Sequence, residues 1–215
     1  CMSQAIPATD VRAVTDRLLE VRASVPRERA ALVAVSGIDG CGKGWLTRNI
    51  VDDLQARGIN AANINIDGWL NLPARRFSDK NPAEHFYLHA IRFDAMFAQL
   101  VLPLRDARSI RVETDFAEET ATAYRKQLYE FTDIDIIVLE GIYLLKQAFQ
   151  NCYDLSIWID CSFARALERA LARSQEGLPP ADTIRAYETI YFPAQDIHFQ
   201  RDNPRQAAAI IVDNN

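Results

Sequence analysis

Four of the eight glycines in this 215-residue chain fall within eight positions, Gly37-Ile38-Asp39-Gly40-Cys41-Gly42-Lys43-Gly44, where an apolar run meets an amphipathic one. That placement constrains the fold more than any other feature. Ala31 to Val35 reads as a strand covered on both faces. Leu46, Ile50 and Leu54 follow at helical spacing, with Gly58 as a stop. A glycine-rich turn between strand and helix lets the backbone curl with its N–H groups inward, while the helix adds its positive end. Lys43 can then reach the outer phosphates of a nucleotide. Such a turn can also be a tight connection and nothing more. Its position after a strand and before a helix is the context that phosphate binding requires.

The position after Lys43 is the unusual one. Phosphate loops of this kind carry Ser or Thr there, whose hydroxyl ligates Mg²⁺; this chain has Gly44. Thr47 lies one turn on and is expected to face elsewhere. Water held by carboxylates can fill that metal position, because Mg²⁺ commonly keeps several waters. Cys41, beside a helix N-terminus and two residues from Lys43, is read either as a stabilised thiolate or as an inert small residue that fits the loop.

Further apolar runs recur at Ala61 to Ile66, Ile134 to Leu139, Leu155 to Ile159 and Ala208 to Val212. Helical patterns alternate with them: residues 10 to 23, one helix carrying Phe86, Ala90, Phe93, Phe97, Leu100 and Leu104, and another carrying Ala164, Leu167 and Leu171. The alternation predicts a three-layer α/β domain over 1–215, with a mainly parallel five-stranded sheet. The aromatic stripe of the long helix reads as core. Residues 117 to 131 admit either helix or strand.

Ligands of parallel sheets sit beyond the carboxyl ends of the strands. Asp67 and Glu140 end two of the apolar runs there. Phosphoryl transfer needs one carboxylate to take a proton and another to organise Mg²⁺ or its waters. A turn-starting role is the plain alternative for both, and Asp39 within the loop can serve simply to shape it. After Ser162, Arg165, Arg169 and Arg173 repeat at spacing four. Such a stripe is either a solvated face or a place for an anion. Residues 173–182 are polar and rich in helix breakers, as a lid would be.

Composition excludes other classes. Lys and Arg number 24 against 29 Asp and Glu, a net charge of -5, so neither a basic bias nor a basic stripe suggests a nucleic-acid partner. No apolar run approaches the roughly twenty residues that span a bilayer. The first residues lack the basic-then-apolar order of a secretory signal, and the four cysteines show no metal-ligand spacing. The expectation is a reducing compartment, the cytoplasm.

Read in order, SGIDGCGKG (36–44), IDGW (66–69), NPAEHFYLHAIRFD (81–94), LVLPLRD (100–106), VLEGIYLL (138–145), DLSIWIDCSFARALERALAR (154–173), YFPAQ (191–195) and DNPRQAAAIIVDN (202–214) resemble the uridine kinase and phosphoribulokinase group of P-loop kinases. The resemblance implies a P-loop NTPase-type fold with a β-hairpin ahead of the Glu140 strand, which tips 109–131 towards a hairpin, and a helical lid. It implies ATP and Mg²⁺ as cofactors. By it, Asp67 is the general base, Glu140 organises the metal with Asp67 close by, and Lys43 acts on the transferred phosphate. Nucleotide contacts are expected from Gly37, Asp39, Gly40, Cys41, Gly42, Lys43, Gly44, Trp45, Arg169 and Arg173. Acceptor contacts are expected from Asp67, Arg76, His85, Tyr87 and Arg92. The implied partner is a small hydroxyl compound, nucleoside-like in the first instance (uridine or cytidine), with pantothenate, a sugar phosphate or glycerate as alternatives. Self-association is left open. Gly44 alone favours a different class, a nucleotide-binding regulator without turnover.

Overall fold

The computed structural model describes residues 5–173 and 177–215. In chain order its strands are β1 (Ile6–Pro7), β2 (Ala31–Gly37), β3 (Ala61–Asn65), β4 (Ile110–Phe116), β5 (Arg125–Phe131), β6 (Ile136–Glu140), β7 (Leu155–Asp160) and β8 (Ile210–Asp213). Six of them form one sheet in the order β1-β8-β7-β2-β6-β3, parallel throughout. The sheet therefore has six strands, not five. The added strand, β1, is two residues long and pairs with Val212 and Asp213 at the edge.

The pattern of each strand follows from its place. All residues of β2 and β6 are buried, as central parallel strands must be when helices cover both faces. The outer strand β3 alternates instead, with Asn63 and Asn65 exposed. Helices Val11–Ser24 and Lys43–Ala56 pack on each other and on the sheet. Asp10 caps the first by accepting from the N–H of Ala13. The apolar core includes Leu32, Val33, Val138, Leu139 and Ile157 from the sheet, with Leu18, Leu46, Ile50 and Leu54 from these two helices.

The single long helix expected over residues 86–104 is two segments. Helix Pro82–His89 stops, and Phe93–Met96 begins a second run that continues through a π-helical turn to Leu102–Ala107. Between them Ile91 bridges Leu70, Ala90 accepts from the N–H of Asn71, and the N–H of Arg92 donates to Trp69 O. Those tertiary hydrogen bonds replace the intrahelical ones, so the break falls where the Ile66–Trp69 turn docks. Residues 109–131 form an antiparallel hairpin, β4 on β5, with Val112 opposite Tyr129. The helix Phe163–Arg173 is the third of the expected helices. Of the lid at 173–182, residues 174–176 lie outside the described residues, and a helix resumes at Pro180–Ala186.

Candidate active site

The chain runs from β2 outward to β3, returns to insert β6 between them, and then crosses to β7 on the other side of β2. That reversal opens a crevice beyond the carboxyl end of β2, where α/β sheets bind ligands. A cleft of about 370 Å³ lies there. Asp39, Gly40, Gly42, Lys43, Gly44, Asp67, Arg76, Glu140 and Arg173 all line it, so most of the expected constellation converges in one place.

The loop's glycines are required by its path. Gly40 and Gly42 have φ of 79° and 94°, a left-handed backbone that other residues rarely adopt. A Cβ at Gly40 would sit 2.7 Å from Ala166 O, and one at Gly42 would sit 2.5 Å from the Asn214 amide. The helix Lys43–Ala56 has no side-chain cap at Gly42, which leaves its leading N–H groups for an anion. Lys43 Nζ donates to Ile38 O at 2.7 Å and Gly37 O at 3.4 Å. Among the described residues no carboxylate pairs with it within 4.0 Å, which is the electrostatic setting an incoming phosphate would complete.

Asp67 and Glu140 face the cleft from neighbouring strand ends. Burial raises the Glu140 pKa and Asp67 adds to the rise; Lys43 and the Thr47 hydroxyl oppose it. Burial raises the Asp67 pKa too, against Lys43 and Arg76. Asp67 is exposed to the cleft rather than covered, so the surrounding protein, not a lid of atoms, is what thins its solvent. Asp39, held by an amide N–H of Gln195 at 3.0 Å, is likewise raised mainly by burial.

Thr47 corrects the sequence reading. Its hydroxyl donates to Lys43 O at 2.7 Å, and it stands on the Glu140 side of the helix, not elsewhere. Position 47 is three residues after Gly44, and that spacing returns to the same helical face. A Cβ at Gly44 would meet Glu140 Oε2 at 3.8 Å, ordinary contact, so the missing hydroxyl leaves open space and no distortion.

Other expected residues lie elsewhere. Cys41 is buried, and burial pushes its thiol pKa up despite Lys43, which favours the inert reading over the thiolate. Gly37 and Trp45 are outside the cleft lining, and Trp45 is exposed. The arginine stripe divides: Arg165 pairs with Glu168, Arg169 Nη1 donates to Cys41 O at 3.3 Å and Cys161 Sγ at 3.2 Å, and Arg173 lines the cleft. His85 donates through Nε2 to Arg75 O and packs on His89. Tyr87 is buried and donates its hydroxyl to Asp202. Arg92 donates to Leu70 O and Asp115 O, with Trp69 and Tyr124 against its guanidinium. Of the five expected acceptor contacts, only Asp67 and Arg76 reach the cleft.

The cleft also holds residues the sequence did not announce. Asn65 lies between the two carboxylates, and Phe77, Phe86, Phe116, Tyr187 and Tyr191 add aromatic side chains to the lining. Phe86 belonged to the stripe read as core and serves both purposes, being 4% exposed and at the cleft surface. Tyr187 and Tyr191 come from a π-helical turn, a distortion that recurs at functional sites.

A glycine-rich loop leading from the central strand into a helix, faced by carboxylates on adjoining strand ends, defines a P-loop protein. Residues 32–177 match the model of the Phosphoribulokinase / Uridine kinase family, and the chain belongs to that family. It is 27% identical over 135 residues to a uridine kinase of Limosilactobacillus reuteri (strain DSM 20016), a match covering 62% of this chain and 60% of that relative. Among solved structures it is similar to a possible uridine kinase from Bacillus stearothermophilus, with TM-score 0.72 and 18% identity over 95% of this chain and 100% of that one. D-glycerate 3-kinase from Cryptococcus neoformans shares the fold at TM-score 0.60 and 14% identity, over 86% and 88% of the two chains.

Proposed function

We propose that this chain transfers the γ-phosphate of ATP to a hydroxyl of a small, ring-bearing acceptor, with a pyrimidine nucleoside as the first candidate. The observation that carries the reading is one cleft lined by Lys43, Asp67 and Glu140 together with an aromatic wall of Phe77, Phe86, Phe116, Tyr187 and Tyr191. A planar ring stacks on such a wall, while the hydroxyl faces Asp67.

In this reading Lys43 leaves its carbonyl partners for the β/γ-phosphates, and the first turn of helix Lys43–Ala56 holds the rest of the triphosphate. Arg173 approaches from the lid side. Asp67 accepts the acceptor's proton as the phosphoryl group moves. Burial raises its pKa, which makes it a stronger base, and Lys43 and Arg76 oppose that rise.

The donor set fits Mg²⁺ that arrives with the nucleotide. Among the described residues no group of three or more acidic, His or Cys side chains forms a metal site, so phosphate oxygens and water must complete the shell. Glu140, with Asp67 beside it, would hold those waters, and the ion supplies charge neutralisation on the phosphates.

Release of ADP from ATP with uridine, cytidine, pantothenate, ribulose 5-phosphate and glycerate tests the proposal. Uridine or cytidine should give the highest kcat/KM. Gly44 favours one second reading, a nucleotide-binding protein without turnover; tight ATP binding with no ADP release from any acceptor would establish it.

A further inference from the structure

We infer that Asn65 is a positioning residue that fixes the proton-accepting carboxylate and the metal-facing carboxylate relative to each other. The inference rests on the kinase reading of the cleft. Asn65 is the last residue of β3 and pairs in register with Glu140, the last residue of β6. Adjacent parallel strands lie about 4.8 Å apart, so the two side chains leave the sheet edge side by side.

The single amide of Asn65 works in two directions. Its Oδ1 accepts from the N–H of Asp67 at 2.8 Å, which caps the Ile66–Trp69 turn and sets where Asp67 leaves the backbone. Its Nδ2 donates to Glu140 Oε1 at 3.3 Å. Glu140 thus has one oxygen on Asn65 and the other facing the open space at Gly44. Where a hydroxyl at position 44 would otherwise help to fix that second oxygen's surroundings, this chain relies on the first.

A primary amide supplies an acceptor and a donor in one rigid plane at this short reach. Aspartate and serine both cap a turn as well as asparagine does. Neither can donate to Glu140 as Asn65 does: aspartate sets a second negative charge against it, and serine is too short. The pair Asn65→Asp and Asn65→Ser therefore keeps the cap and removes the link to Glu140.

The test measures four quantities on the purified chain and both variants. They are Tm, Kd for ATP by calorimetry, kcat and KM for uridine-dependent ADP release, and acceptor-free ATP hydrolysis read as phosphate release. Both variants should keep Tm within about 3 °C and ATP Kd within about twofold, while kcat and hydrolysis fall at least about tenfold. Wild-type kcat in Asn65→Ser would overturn the inference and leave Asn65 a turn cap. So would loss of folding in both variants, since the residue would then serve the fold. A wild-type chain that hydrolyses ATP but ignores uridine removes the acceptor assignment alone, and the hydrolysis rates still decide the role of Asn65. A wild-type chain with neither hydrolysis nor ADP release from any of the five acceptors named above overturns the kinase reading and this inference together.

Discussion

At the scale of single residues, the cleft separates groups that bind charge from groups that act on the acceptor. Lys43, unpaired with any carboxylate among the described residues, is the cation nearest the loop's carbonyls. A charge-assisted hydrogen bond is worth about 1.5–3 kcal/mol, so Lys43→Ala should weaken ATP binding roughly 10- to 150-fold by calorimetry. Asp67→Asn should leave ATP affinity nearly unchanged and lower kcat by about 10²–10⁴, the usual worth of a general base. Equal loss of ATP affinity in both would remove Asp67 from that role. Gly44 supports a gain-of-function test. The position has no positive φ and a Cβ there meets nothing closer than 3.8 Å, so Gly44→Ser fits without strain. Its hydroxyl would face Glu140 and add about one hydrogen bond to the metal's surroundings. The Mg²⁺ needed for half-maximal binding of a non-hydrolysable ATP analogue should then fall about fivefold. No change would mean that Thr47 and water already do what the serine would.

At the scale of elements, the hairpin β4–β5 brings Phe116 to the cleft lining, where the proposed function would have it border the acceptor. Phe116 and the Tyr129 hydroxyl crowd Gly68 so closely that a Cβ there would sit 2.7 Å from the hydroxyl. Arg92 pins the hairpin to this turn through Leu70 O, Asp115 O and the rings of Trp69 and Tyr124. Arg92→Ala should therefore loosen the hairpin without touching the phosphate loop. The expected result is a rise of about 5- to 30-fold in acceptor KM, from losing about 1–2 kcal/mol of ordering, with ATP Kd unchanged. Hydrogen exchange should rise first at 110–131, and exchange spread over the whole chain would argue against a local clamp. Elements covered on both faces were legible in the sequence, because β2, β6 and β8 are nearly continuous apolar runs. The loop and its two strand-end carboxylates were legible for the same reason: each sits where such a run stops. β1 was not, since two residues, one a proline, carry no period. Nor was the helix break at Ala90–Arg92, where the apolar spacing runs on but hydrogen bonds from Trp69 and Asn71 interrupt it. His85, Tyr87 and Arg92 were read as acceptor contacts because their chemistry suits one; the structure instead pairs them with Arg75, Asp202 and Asp115, up to 115 residues away, and leaves them out of the cleft lining.

At the scale of the whole molecule, the helix Phe192–Asp202 links the phosphate loop to the buried Tyr87, and its buried groups bear on how the fold responds to acid. Gln195 holds Asp39 of the phosphate loop, while Asp202 accepts from Tyr87, from His198 Nδ1 at 2.6 Å and from the N–H of Gln147 at 3.0 Å. Burial lowers the His198 pKa, and the neighbouring Lys146 adds to that; Asp202 opposes it without prevailing. For Asp202 burial acts upward, but the hydrogen bonds from His198 and Tyr87 outweigh it and the pKa is lowered. A histidine whose folded pKa is depressed stays neutral in the fold while the unfolded chain takes a proton. Its contribution is therefore complete above the ordinary value near 6.5 and is lost as pH falls below it. Asp202, depressed from an ordinary value near 3.9, loses its contribution only below that pH, so the two effects fall in separate windows. The His198 part of the stability measured by urea unfolding should fall from pH 7 to pH 5, with a slope of at most about 1.4 kcal/mol per pH unit for the proton taken up on unfolding. The raised pKa values of Asp39, Asp67 and Glu140 act with the opposite sign, so the comparison is between the wild type and a His198 variant. His198→Asn places an amide where Nδ1 was and keeps a donor for Asp202 while removing the titration. Its slope between pH 5 and 7 should be shallower but not zero, because the His89 pKa is lowered too, by burial and then by His85, Arg75 and Lys146. An unchanged slope in His198→Asn would mean that His198 is protonated in the folded chain and that the Asp202 carboxylate, not burial, governs it.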